Sequence, residues 1–391
     1  MHCILCFSCV IGFRRKSHMK IRKAVCIGAV LLLAGGLAAC GKVEESTGFL
    51  NTGDKIKIAI IGDEEYIADN GAMEAMEMAS KDFYEKTGVE IEAVIFNDNS
   101  DYNEGIECAK KIVAEGDIAA VLVKQELDYI DATAEIFEEA EMPFILTNGC
   151  YENTIDQSYS YMLVDCINAK AAGSIMGDYV MEHGYKTVAF CHSDTTYEED
   201  ELKGFQAKIE GNGSTLADTL IGPYTQDDFN QAYVRWLDLG IDVVCISNYD
   251  ILNSDLVRML REKGSDIQVV GDYVMDTNED IRANGQYLDG TAIVGMYIND
   301  EKPNNTKIME RFETEYGMEM SEKAIQSYDI TYLLGEELTS EIKSSRELID
   351  NIKNSKGYDG ISGTLQFDER GCLIPNGNEV LIYEHGSFVQ Q

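Results

Sequence analysis

The chain has 391 residues, 45% hydrophobic and 26% charged, too many for one small core and suited to two globular lobes of roughly 100 to 200 residues each. Its 32 Lys and Arg stand against 69 Asp and Glu, a formal charge of -37. With no basic stripe to offset that field, a phosphate backbone is repelled and nucleic acid is excluded as a partner. Four prolines and 34 glycines beside so many aliphatics describe a folded protein rather than an acidic disordered one.

Residues 1 to 40 carry six basic side chains (Arg14, Arg15, Lys16, Lys20, Arg22, Lys23), no acid, and an apolar run from Ala24 to Ala39. That run is shorter than the roughly 20 residues a spanning helix needs, and its basic front edge matches a secretory n-region. A signal peptide is expected over 1–40, with Met19 opening the more complete n-region. Leu37-Ala38-Ala39-Cys40-Gly41 resembles the bacterial lipobox, which implies acylation of Cys40 and a lipid anchor in the cell membrane on its extracytoplasmic face. Residues 41–53 read as a polar tether. Cys3, Cys6 and Cys9 have ligand-like spacing but fall in the segment expected to be removed. Cys108, Cys150, Cys166, Cys191, Cys245 and Cys372 remain. None is paired at short spacing and several lie in apolar runs, so buried free thiols are expected.

From Lys55 short β-branched runs alternate with helical periodicity, the pattern of βαβ units and parallel sheets. Ile56 to Ile61 is the first strand, followed by a helix with Ala72, Met76, Ala79 and Phe83 on one face. Strand Val89 to Phe96, helix Asn103 to Glu115, strand Ala119 to Val123, helix Tyr129 to Glu141 and strand Pro143 to Leu146 complete one lobe. The theme restarts with helix Ala169 to His183, strand Lys186 to Cys191, a helix marked by Leu202, Phe205 and Ile209, strand Val243 to Ser247, helix Ser254 to Lys263 and strand Ile267 to Val270. Strand Thr291 to Tyr297, helices Thr306 to Tyr316 and Glu322 to Leu338, and a turn-rich β end follow. The fold class is therefore α/β with two doubly wound parallel-sheet lobes, and the loops after the strand C-termini line the crevice between them.

Catalytic signatures are missing. No phosphate-binding loop, no dinucleotide glycine motif, no H-E-x-x-H and no G-x-S-x-G occurs, and no metal or cofactor is implied. His183, His192 and His385 are dispersed; His192, at a strand end, reads as a cleft-lining hydrogen-bonding group. Glu198-Glu199-Asp200-Glu201 reads as a solvated face at a helix N-terminus. Tyr66, Tyr197, Tyr249 and Tyr273 each follow a strand, and tyrosine's apolar body and hydroxyl suit enclosure of a small polar solute.

Ile58 to Gly62, Phe96 to Asp101, Met142 to Ile145, Tyr197, Ser327-Tyr328-Asp329, and Tyr358 to Gly363 leading to Phe367 to Gly371 together resemble type 1 periplasmic-binding proteins of the leucine/isoleucine/valine-binding kind. The terminal Gly-x-x-Gly then Phe-Asp-x-x-Gly pattern is the most specific part, and the resemblance covers nearly everything from Lys55 onward. It implies two lobes joined by a three-segment hinge, placed near 54–163 and 275–345 for lobe 1 and 164–274 and 346–391 for lobe 2. It also implies a non-catalytic binding protein that closes on a small-molecule ligand and partners an ABC permease.

Site residues transfer unevenly. Tyr197 and Tyr249 fall where the family places second-lobe tyrosines, and Asp272 or Tyr273 where an acid meets the ligand ammonium. In the first lobe the usual small hydroxyls are replaced, by Val123-Lys124-Gln125-Glu126-Leu127 and by Leu146-Thr147-Asn148-Gly149-Cys150. Lys124 offers an anion contact or pairs with a nearby acid such as Glu126; Thr147 and Asn148 offer hydrogen bonds. The expected ligand is a small polar solute, amino-acid-like or an amide, other than leucine, isoleucine or valine. The alternative function is a lipid-anchored sensor that shows its closed form to a membrane receptor.

Overall fold

The computed structural model describes residues 55 to 390 other than 126, 277 and 378. The expected signal peptide, Cys40 and the 41–53 tether lie outside the described residues.

The first lobe opens with β1 (Lys55–Gly62), α1 (Glu64–Asp69), α2 (Ala72–Thr87), β2 (Glu90–Asn97), α3 (Tyr102–Glu115), β3 (Ile118–Lys124), α4 (Leu127–Glu139), β4 (Phe144–Leu146), α5 (Glu152–Asp156) and β5 (Met162–Val164). The five strands are parallel in the order β2-β1-β3-β4-β5. Period-two alternation in β1 sends Ile56, Ile58 and Ile60 to one core and Ala59 and Ile61 to the other, so both faces are buried. Gly62 lets β1 end against β3: a Cβ there would stand 2.7 Å from the Lys124 carbonyl oxygen.

The second lobe runs through α6 (Ala169–Glu182), β6 (Thr187–His192), α7 (Thr196–Ile209), β7 (Thr215–Ile221), α8 (Gln226–Leu239), β8 (Val243–Ser247), α9 (Asn253–Glu262), β9 (Gln268–Gly271), α10 (Asn278–Asn284) and β10 (Ala292–Val294). Its strand order β7-β6-β8-β9-β10 repeats that of the first sheet, so β1 and β6 hold equivalent places. In each sheet the order reverses beside that strand, and ligand crevices form at such switch points.

The chain then returns to the first lobe with α11 (Pro303–Tyr316), α12 (Glu322–Leu338), α13 (Ser345–Asn354) and the hairpin β11 (Tyr358–Gly360) and β12 (Gly363–Leu365). It ends in the second lobe with β13 (Val380–Glu384) and β14 (Ser387–Gln390), an antiparallel extension of β10. The crossings therefore lie elsewhere than expected. Residues near 275–295 belong to the second lobe because β10 pairs with β9. Residues 346 to about 373 belong to the first, because Leu348, Ile349, Ile352, Leu365 and Phe367 enter the core under β1 and α2 and Cys372 bridges Val164. The β end expected over Val380 to Tyr383 and Gly386 to Val389 forms β13 and β14, whereas the short or half-exposed β5, α13 and β7-α8 pair carry no clear signal in the sequence. Strand β7 is an edge strand broken by Asp218, whose carboxylate accepts from Arg235 and the Trp236 indole at 2.7 Å.

The terminal glycine motif has a packing origin. Asp329, buried on α12, accepts from the Ile361 and Ser362 amides at 3.0 and 2.8 Å and from the Ser362 hydroxyl at 2.7 Å. A Cβ at Gly360 would sit 2.4 Å from its Oδ2, and one at Gly371, where φ is +86, 2.7 Å from the Met162 carbonyl. These contacts pin the return segment against α12 and β5.

Candidate functional site

Gly62 pairs with Lys124 where β1 and β3 end, and His192 with Ser247 where β6 and β8 end. The loops leaving these ends face one cleft of about 450 Å³, within the range of small-molecule sites. Its first-lobe wall is Asp63, Tyr66, Ser100, Lys124, Gln125, Tyr129, Asn148, Tyr151 and Lys323, and its second-lobe wall Thr195, Tyr197, Glu198, Tyr249 and Tyr273.

Of the expected site residues, Tyr66, Lys124, Gln125, Asn148, Tyr197, Tyr249 and Tyr273 reach this cleft. On the first wall the Tyr66 hydroxyl donates to Asn148 Oδ1 at 3.0 Å, and Asn148 Nδ2 donates to the Lys124 carbonyl at 3.4 Å. Gln125 lines the cleft but is satisfied behind it: Nε2 donates to Asp98 at 2.9 Å and Oε1 accepts from the Thr133 hydroxyl at 2.7 Å. Lys124 is 2% exposed. Burial, then repulsion from Lys323, brings its amine down to about 7, against the pull of Asp165 and Cys166.

On the second wall the Tyr197 and Tyr249 rings meet edge to face at 5.8 Å. The Tyr249 hydroxyl donates to Asp272 Oδ2 at 3.3 Å and lies 3.0 Å from the Tyr273 hydroxyl. Burial foremost pushes the Tyr197, Tyr249 and Tyr273 hydroxyls above their ordinary range, so they stay protonated. Burial, opposed by hydrogen bonds from the Tyr273 amide and Tyr249, pushes Asp272 up to about 7.

Three expectations shift. Thr147 and Asp272 stand one layer behind the wall rather than in it. Thr147 is fully buried with its hydroxyl donating to the Val123 carbonyl at 3.1 Å, and Asp272 is covered by Tyr249 and Tyr273. His192 is likewise buried, its Nδ1 2.7 Å from the Ser193 carbonyl, and is not part of the cleft wall. The acidic run at 198–201 is not a solvated face: Glu198, Asp200 and Glu201 are buried and only Glu199 is exposed. The Glu198 carboxylate accepts from the Ser193 and Thr195 hydroxyls, and Glu201, below it, is pushed up by burial and then by Asp272.

Lys323, at the start of α12, is not legible as a site residue in the sequence because it lies about 200 residues from Lys124 in the chain. Its Nζ donates to the Thr147 carbonyl at 3.2 Å and stands 6.0 Å from the Tyr273 ring centre. Asp63 could have been noticed: it directly follows β1 and caps α1, accepting from the Tyr66 amide at 2.9 Å.

Among the described residues no helix is long and apolar enough to cross a membrane, and the six cysteines are free and buried as expected.

A leucine-, isoleucine-, valine-, threonine- and alanine-binding protein of Pseudomonas aeruginosa is 20% identical over 305 residues, covering 78% of this chain and 81% of that protein. An ABC transporter substrate-binding protein from Desulfitobacterium hafniense in complex with Leu has the same fold, with a TM-score of 0.75 at 19% identity over 86% of this chain and 100% of that one. A solute binding protein of an ABC transporter from Rhodopseudomonas palustris, in complex with 3,4-dihydroxy benzoic acid, gives 0.66 at 18% identity, over 87% and 97%. Residues 55–373 match the family model described as periplasmic binding protein, and with the two lobes and the cleft between them this shows that the chain belongs to the type 1 periplasmic binding protein family, the substrate-binding components of ABC transporters and not enzymes.

Proposed function

We propose that this protein is an extracytoplasmic lipoprotein, tethered through Cys40, that captures a small polar solute of amino-acid-like or amide character and delivers it to an ABC permease. The observation that carries this is the cleft at the paired switch points, walled by Tyr66 from one lobe and by Tyr197, Tyr249 and Tyr273 from the other. A solute that touches both walls binds the closed arrangement better than the open one, so occupancy raises the closed population that a permease recognises.

Tyr66, Lys124, Asn148, Tyr197, Tyr249 and Tyr273 are the contact residues in this proposal, with Gln125, Thr147 and Asp272 orienting them from behind. Lysine and amide groups stand where small hydroxyls hold an ordinary amino acid, which argues against leucine, isoleucine and valine as ligands.

A thermal-shift screen of amino acids, amides, nucleosides and small sugars on the chain from Gly41 onward tests this, because a ligand that binds only the folded state raises its melting temperature. One compound class should raise it, and Tyr197→Ala and Tyr249→Ala should each abolish the rise while the variants stay folded. If both variants keep the shift, the site is elsewhere. Tight calorimetric binding of leucine, isoleucine and valine would overturn the ligand class.

A further inference from the structure

Lys124 is the last residue of β3, two positions from Leu122, so its side chain leaves on the sheet face that α2 and α12 cover. It reaches the cleft wall, yet its Nζ has no hydrogen-bond partner and joins no ion pair among the described residues. A buried ammonium without an acceptor is strongly unfavourable. The groups that face it are Lys323 on α12 and Asp165 and Cys166 on the first crossing. Asp165 does not resolve the strain: among the described residues its Oδ2 is itself without a hydrogen-bond partner, and burial, then Asp329, pushes its carboxyl up to about 7. Among the described residues Lys323 Nζ makes one hydrogen bond, to the Thr147 carbonyl. Two amines with unused donors thus meet at the first-lobe wall, while the opposite wall carries Glu198 and, behind it, Asp272.

We infer that the captured solute bears a carboxylate that docks on the Lys124 amine with Lys323 beside it, and that capture brings a proton onto Lys124. This rests on the solute-capture proposal and names the chemistry of the same site. A carboxylate at hydrogen-bond distance supplies the missing acceptor and favours the charged amine. With the cleft empty the amine is only partly protonated at neutral pH, so docking draws a proton from solvent. Asp165 is raised by the same anion and lowered by the newly charged Lys124, so the uptake is carried by Lys124. Affinity therefore falls as pH rises above about 7, approaching tenfold per pH unit for one proton taken up. The carboxylates of the solved relatives' ligands, leucine and 3,4-dihydroxy benzoic acid, fit this polarity.

The test compares acids with their carboxylate-free primary amides on the chain from Gly41 onward: L-leucine with L-leucinamide, L-glutamate with its diamide L-glutaminamide, and benzoate and 4-hydroxybenzoate with their benzamides, each by thermal shift at pH 6.5, 7.5 and 8.5. The strongest binder goes to calorimetry in buffers of low and high ionisation enthalpy, with wild type and Lys124→Met. At least one acid other than leucine should bind, and its carboxylate-free amide should not. The Kd should rise about five- to tenfold from pH 7.5 to 8.5, and the buffer series should report proton uptake that Lys124→Met abolishes along with most of the affinity. Amides that bind as well as acids, or uptake that survives Lys124→Met, would overturn the inference and leave solute capture standing. So would binding only of nucleosides or sugars. If no compound of either screen binds, solute capture falls with it.

Discussion

Replacing Lys124 with methionine should make the empty protein more stable. In water the amine holds its proton up to an ordinary value of 10.5; in the fold that value is about 7. One pH unit is worth about 1.4 kcal/mol, so at pH 7 the buried lysine costs the fold about 4 kcal/mol relative to an unfolded chain in which it stays charged. Methionine has nearly the same length, is flexible enough to fill the same slot and carries no charge. Asp165 loses a neighbouring cation in the exchange, which takes back part of the gain and leaves about 2 to 3 kcal/mol. The sign of the pH dependence follows from proton counts. Between about 7 and 10.5 the unfolded state binds the extra proton, so wild-type stability rises with pH through that window, and the penalty is greatest below pH 7. Urea denaturation with linear extrapolation, at pH 7 and at pH 9.5, should show the Lys124→Met advantage shrinking at the higher pH. A variant less stable than wild type at both, or an advantage independent of pH, would refute the account of Lys124 as a strained amine.

The α6–α7 contact sets the second-lobe wall and depends on two small residues. A Cβ on Gly173 would stand 1.9 Å from the Glu201 carbonyl oxygen, so Gly173→Ala should cost more than about 3 kcal/mol by forcing two helix backbones apart. Gly177→Ala, whose Cβ would meet Lys208 Cβ and Cγ at 2.9 Å and Ile209 Cγ2 at 3.4 Å, should cost less, because side chains rather than a carbonyl must give way; equal melting temperatures for the two would contradict this. Asp329→Ala strands the two amides and the hydroxyl it now satisfies and should lower stability by about 2 to 4 kcal/mol in urea melts. Thiol titration of the chain from Gly41 onward should find no reactive group in the native state and six after denaturation without reductant, since all six cysteines are free and buried; fewer than six would mean a disulfide.

Much of the site was legible because strand ends are legible. Apolar β-branched runs such as Ile58 to Ile61 and Val243 to Ile246 end at polar residues, and in a parallel sheet those ends share one edge, which brought Tyr66, Lys124, Asn148, Tyr197, Tyr249 and Tyr273 together. Thr147 and Asp272 sit at equally good sequence positions, but side-chain direction, which one residue of register reverses, put them behind the wall. Glu198 reads in sequence like any acid in a helical first turn, and only the Ser193 and Thr195 hydroxyls folded over it mark it as buried.

Local periodicity alone determined the strand-helix alternation, its restart near residue 169 and hence two doubly wound lobes, because a pattern of period 2 or 3.6 is a property of neighbouring residues. Tertiary structure decided where the chain crosses between lobes, since β10 and β13 pair only after distant segments meet. It also decided that Lys323 stands beside Lys124. Electrostatic strain of that kind arises from proximity in space and loss of water, neither of which a linear order of residues contains.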